Sequence, residues 1–201
     1  MSDWIIGFIT EQGYLGIFLL MVLENLFPPI PSELIMPFAG FAAAEGNLGF
    51  AGVVIAGVLG SLVGTLPWYL VARWLGLERL KKLADRFGRI ATISAADIDD
   101  ANRWFARYGR LTVLFGRLVP AIRTLISIPA GLAAMPFAPF VACTALGSFV
   151  WTLFLTGAGY VLHEGYHLVE AWVDPATKVI VVLLVAVYLY RFVTWKRSDA
   201  S

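Results

Sequence analysis

With 201 residues, of which 59% are hydrophobic and only 14% charged, the chain is too apolar for an average soluble domain and reads as one polytopic membrane domain. A net charge of +1 excludes a nucleic-acid partner, which calls for a concentrated basic face. The single cysteine, Cys143, excludes an intramolecular disulfide.

Residues 1–13 place Trp4, Ile5, Phe8 and Ile9 at helical spacing beside Asp3, Glu11 and Gln12, which predicts an interfacial amphipathic helix. A basic n-region and a small-residue cleavage site are missing there, so a signal peptide is not expected. The apolar run from Tyr14 to Phe27 is shorter than the roughly 20 residues a spanning helix needs, and it carries Glu24 near its end. Pro28, Pro29 and Pro31 then surround Ile30, and Glu33 opens a second apolar run to Ala44. Two short apolar arms around a proline-rich tip predict a re-entrant hairpin over residues 14–45. Two surface helices and a loop are the alternative.

Residues 48–74 are long enough to cross a bilayer. Their small-residue face of Gly57, Gly60 and Gly64 suits packing within the chain or against a second copy in a homo-oligomer. Residues 75–110 form an extended polar region rich in Arg and Lys, predicted to be helical and cytoplasmic, with Ser94 to Asp97 as a capping box. Residues 111–135 contain LFGRLVPAIRTLISIPAGLAAM, apolar enough for the bilayer yet carrying Arg117 and Arg123, and broken by Pro120 and Pro129. An arginine at bilayer depth costs about 2.5–3.5 kcal/mol on insertion scales and marks a cavity, a partner or a transport path. A second re-entrant hairpin is therefore predicted. Residues 137–162 and 176–195 complete the predicted spans, and Arg191, Lys196 and Arg197 place the C-terminus inside.

An internal repeat runs alongside this topology. Leu59-Gly60-Ser61 matches Leu146-Gly147-Ser148 at an offset of 87 residues, which also pairs Thr65 with Thr152 and Phe50 with Phe137. Pro37 to Ala43 likewise resembles Pro129 to Ala134. Two copies in opposite orientation, each with an interrupted apolar segment, are the pattern of a carrier with its site near the midplane. The fold class expected is thus an all-α integral membrane protein. It is an inverted repeat of two re-entrant hairpins, each followed by a transmembrane helix, with an N-terminal interfacial helix and a C-terminal transmembrane helix added.

If the hairpin tips meet, two acids and two arginines form one buried group in which each sign compensates the other. Arginine suits phosphate, because its planar fork donates two parallel hydrogen bonds and stays charged. Glutamate suits proton exchange, because burial and a nearby arginine pull its ionisation in opposite directions. Arg117 and Arg123 are the candidate ligands of a lipid phosphate, and Glu24 and Glu33 the candidate proton-coupling or gating groups. A purely structural lock of the two hairpins is the competing reading.

Glu24 ahead of the Pro28 to Glu33 tip, Phe115-Gly-Arg117-Leu-Val-Pro120-Ala-Ile-Arg123, Pro129-Ala-Gly131 and Phe140 to Trp151 resemble the DedA family, also called the SNARE-associated or VTT-domain family. The resemblance covers roughly residues 10–165. It implies a bacterial inner-membrane protein with two opposed re-entrant hairpins that moves lipids: undecaprenyl phosphate in some members, phospholipid in relatives, with dependence on the proton motive force. Its functional acids and arginines would fall on Glu24, Glu33, Arg117 and Arg123. Many members carry an aspartate after a longer tip loop where this chain has Glu33 after Pro-Pro-Ile-Pro.

Other classes compete. An energy-independent phospholipid scramblase and a proton or ion antiporter could use the same charges. His163-Glu164-Gly165-Tyr166-His167 matches the H-E-x-x-H pattern of zinc proteases, with His163, Glu164 and His167 as a weak metal candidate. Gly165 weakens the helix that motif needs, and these are the only two histidines. P-loop, dinucleotide and nucleophile-elbow motifs are missing, so neither an enzyme nor a cofactor is expected; the expected partners are membrane lipids and protons. Trp68, Trp74, Trp104, Trp151, Trp172 and Trp195 read as interfacial anchors.

Overall fold

The computed structural model describes residues 2–27, 32–91, 95–120 and 122–161. All regular structure among them is helical: α1 Ser2–Leu26, α2 Ser32–Ala44, α3 Phe50–Ala91, α4 Ala95–Gly116, α5 Ser127–Leu132 and α6 Phe137–Val161. The expected last span at 176–195, the His163–His167 motif, the 28–31 tip and Ser94 lie outside the described residues.

Among the described residues, three helices are long and apolar enough to cross a membrane: Gly7–Leu26, Phe50–Arg79 and Phe137–Val161. The first was not among the expected spans. Hydropathy counted from Tyr14 falls short, but the residues before Gly13 are helical as well, and Gly13, at φ 57° and ψ −130°, is a non-helical kink at which the two helices join. Gly76, at φ 70°, bends α3 in the same way where the apolar part gives way to the polar part.

Two cores form. Ile17, Leu20 and Met21 of α1, Ile35, Met36 and Ala39 of α2, and Val53 and Ala56 of α3 make the first, with Leu155 of α6. Tyr69 of α3, Phe105 and Val113 of α4, and Ile126, Ala130, Met135 and Phe140 make the second. Tyr69 stacks on Phe140 at 4.2 Å between ring centroids, and its hydroxyl donates to the Met135 carbonyl at 2.5 Å.

Glycines set how closely the helices approach. A Cβ at Gly60 of α3 would meet the Phe18 carbonyl of α1 at 2.5 Å; one at Gly147 of α6 would meet Leu114 O of α4 at 2.9 Å and the Arg117 side chain. Gly40 of α2 lies against the Thr156 carbonyl of α6, and Gly131 of α5 against the Tyr69 carbonyl of α3. Gly57 and Gly64 face Met36 and Val22, so the small-residue face of α3 packs inside the chain.

The α5–α6 connection holds a strained residue. Ala134 has φ 50°, donates its N–H to Gly131 O and is followed by Met135 N–H bonding Ala130 O, a Schellman closure in which glycine is the usual occupant. Left-handed backbone costs an L-residue roughly 1–2 kcal/mol, partly offset for glycine by the freedom it loses on folding. Ala134→Gly should therefore stabilise the protein by about 1 kcal/mol. Thermal unfolding in detergent checks this; a lower midpoint would contradict it.

Candidate functional site

The site sits where the end of α1 meets the irregular segment between α4 and α5. Pro120 cannot continue the helix, and residues 117–120 and 122–126 wind on through short turns: Leu118 N–H bonds Phe115 O, Val119 N–H bonds Gly116 O, and Ile122 N–H bonds Val119 O. Those turns carry Arg117 and Arg123 inward, where they are 2% and 6% exposed.

Arg123 donates through Nη2 to Glu24 Oε1, an ion pair joining residues far apart in the chain, both buried. Glu24 Oε2 accepts from the Asn25 side-chain amide at 2.7 Å, so both carboxylate oxygens are satisfied. That amide also faces Met21 O at 2.9 Å and Ser61 Oγ at 3.3 Å, and Asn25 O accepts the Trp68 indole N–H. The guanidinium of Arg123 lies 5.6 Å from the Trp151 ring centre, and the Trp151 indole points to Ser32 Oγ at 3.5 Å.

Arg117 is placed differently. Its Nη1 donates to the Arg123 carbonyl at 2.6 Å and its Nη2 to Ser127 Oγ at 2.7 Å, so it splints the turn that presents Arg123. Its Nε, together with the buried hydroxyls of Thr144 and Thr156, has no hydrogen-bond partner among the described residues. Glu24 lies within electrostatic range of Arg117 and of Glu33. Glu33 itself is half-buried on the first turn of α2.

Of the four charged residues singled out in the sequence, Glu24 and Arg123 are joined directly, Arg117 braces Arg123, and Glu33 stands nearby. Sequence reading missed Asn25, Ser127 and Ser32, and it misplaced Trp151. Trp151 lies well inside α6, where its ring faces Arg123, rather than at a membrane boundary. Its distance from Phe137, about four helical turns, was the available signal. Trp74 and Trp104 are exposed, as an anchor would be. Among the described residues there is no group of three or more His, Cys, Asp or Glu that could hold a metal ion.

A buried arginine paired with a glutamate and backed by a second arginine can exchange its counter-charge for an incoming anion, since guanidinium binds carboxylate and phosphate with the same forked geometry.

Relatives carry names that bear on this chemistry. The chain is 34% identical to the undecaprenyl phosphate transporter A of Bacillus subtilis over 96% of this chain and 94% of that protein. It is 31% identical to the protein of the same name in Staphylococcus aureus, over 94% of each. It is 39% identical to an alkaline phosphatase-like protein of Lactococcus lactis subsp. lactis over 94% of this chain and 89% of that one. No solved structure matches. The family described as VTT domain matches residues 30–161, the stretch that holds Glu33, both arginines and Trp151. The chain is a membrane protein of the VTT domain family, the DedA family that its arginine motif resembles.

Proposed function

We propose that this protein is a lipid transporter of the bacterial cytoplasmic membrane that carries an anionic lipid phosphate head group, undecaprenyl phosphate foremost, between leaflets with proton coupling. The observation that carries the proposal is the buried Glu24–Arg123 ion pair, which ties together two segments that prolines interrupt. The names of the Bacillus and Staphylococcus relatives support the substrate.

In this reading residues 14–45 and 111–135 are the two re-entrant hairpins of an inverted repeat. The mirrored glycine contacts support that relation. Gly60 and Gly147, 87 residues apart, each pack on the first arm of a hairpin; Tyr69 and Thr156, also 87 apart, each receive a glycine from the opposite half.

The head group takes Arg123, with Arg117 as the second ligand through its unpartnered Nε. Glu24 then loses its counter-charge, and a carboxylate alone at that depth is relieved by taking a proton. Release of the lipid restores the ion pair and expels the proton. Glu33, near enough to feel the charge of Glu24, gates that exchange. Residues 75–110 and the C-terminus face the cytoplasm, following the bias of Arg and Lys.

Translocation in proteoliposomes tests the proposal, comparing undecaprenyl phosphate with phosphatidylethanolamine, with and without an imposed pH gradient. The expected result is gradient-dependent movement of undecaprenyl phosphate. Equal movement of both lipids without regard to the gradient would make the protein a scramblase, and movement of neither would sink the lipid reading.

A further inference from the structure

We infer that the outer face of α4 is a second lipid site, a groove that takes a lipid with an anionic phosphate head before it reaches the arginine segment; this rests on the transport reading above. Two adjoining cavities carry the inference. The first, about 450 Å³, lies between α4 and the α5–α6 connection, with Arg107 and Arg110 on one wall and Ala134 and Pro136 on the other. The second, about 400 Å³, follows α4 past Leu111 and Phe115 to Val119 and Ile122. Tyr108 and Leu111 line both, so the two form one continuous track.

The ends of that track differ in chemistry. Arg107 and Arg110 are both exposed at one end, with the Arg107 guanidinium 5.4 Å from the Tyr108 ring centre. The other end is hydrocarbon, and Leu111, Phe115, Val119 and Ile122 all turn their side chains outward. A ligand matching both ends is charged at one and apolar along the rest, which a phosphate-headed lipid is and free phosphate is not. Basic pockets at the membrane surface hold such head groups, and guanidinium provides the forked donors.

The wall is built rather than incidental. Trp104, Tyr108 and Thr112 recur at four-residue spacing on one helix face. The Trp104 ring packs on Tyr108 at 4.8 Å, and its indole N–H bonds Thr112 Oγ1 at 2.9 Å. At the head-group end, Ala134 holds its left-handed backbone, and strain of that kind collects at functional sites. At the apolar end, the Val119 carbonyl accepts the Arg123 N–H at 3.0 Å, so a chain lying in the groove touches the backbone that presents Arg123.

The test uses the full-length protein in phosphatidylcholine liposomes doped with phosphatidylglycerol carrying a photoactivatable diazirine in its acyl chain, with labelled peptides mapped after irradiation. Labelling should concentrate on residues 104–122 relative to the outward face of α3 at Ile55 and Leu59. Unlabelled phosphatidylglycerol should displace it, and Arg107→Ala/Arg110→Ala should lower it about tenfold. Both arginines are exposed, and an unchanged thermal midpoint in the variant confirms folding. Labelling no stronger than at Ile55, or undiminished in the variant, overturns the site; displacement by inorganic phosphate overturns the lipid as its occupant. Glu24→Gln/Arg123→Gln, which removes both buried charges together, should keep the labelling while losing translocation. A wild type that labels in this pattern but moves no lipid would retain the groove and refute the transport reading.

Discussion

Arg123→Gln should abolish lipid translocation and also destabilise the protein by about 3–5 kcal/mol, because it leaves the Glu24 carboxylate buried without its cation. Glu24→Gln alone should do comparable damage from the other side, stranding Arg123 against Trp151 and the backbone turn. The double variant Glu24→Gln/Arg123→Gln removes both charges and leaves two amides able to hydrogen-bond each other and Asn25, so its thermal midpoint should recover most of the loss. Translocation should not recover, since the first anion ligand and the proton acceptor are both gone and Arg117 alone is left. That divergence separates a working site from a lock. Were the ion pair only a structural clasp, transport would return with stability, and the proposed roles of both residues would be wrong. The measurements are thermal unfolding in detergent and translocation in liposomes on the same four proteins.

The charged half of this site was legible because a charge in an apolar run announces its own cost. Glu24 and Arg123 stand in segments that prolines cut short, and each needs a partner that its own segment does not offer. What the sequence could not say was which acid meets which arginine. Arg117 illustrates the difficulty: its acceptors are the Arg123 carbonyl and Ser127 Oγ, and every residue has a carbonyl, so composition carries no trace of that choice. Asn25 reads as an ordinary residue near a helix end until its amide is seen reaching both Glu24 and Ser61. The extent of α1 was hidden for another reason. Gly13 can be either a stop or a bend, and hydropathy does not distinguish them. The repeat at an offset of 87 was visible as letters, but which helix each glycine approaches is a property of the packing.

Those approaches support the second large expectation. Gly159→Ala and Gly40→Ala should each cost about 1–3 kcal/mol or more, as overpacked substitutions do in a filled interior. The added methyl at Gly159 would collide with the Pro37 carbonyl of α2, and that at Gly40 with the Thr156 carbonyl of α6. Both obstacles are backbone, so no rotamer change relieves them and the two helices must separate. Separation reaches the site directly. The Trp151 ring under Arg123 belongs to α6, and its indole points to Ser32 at the start of α2. Widening the α2–α6 contact therefore loosens the platform that orients Arg123, and translocation should fall along with the thermal midpoint. Gly157 is the control: it is on the same helix, and nothing lies within 4 Å of the Cβ it would gain. Gly157→Ala should leave both measurements unchanged, or raise stability slightly through the better helix propensity of alanine. Equal losses at Gly157 and Gly159 would mean that the close α2–α6 approach is not what holds the arginine in place.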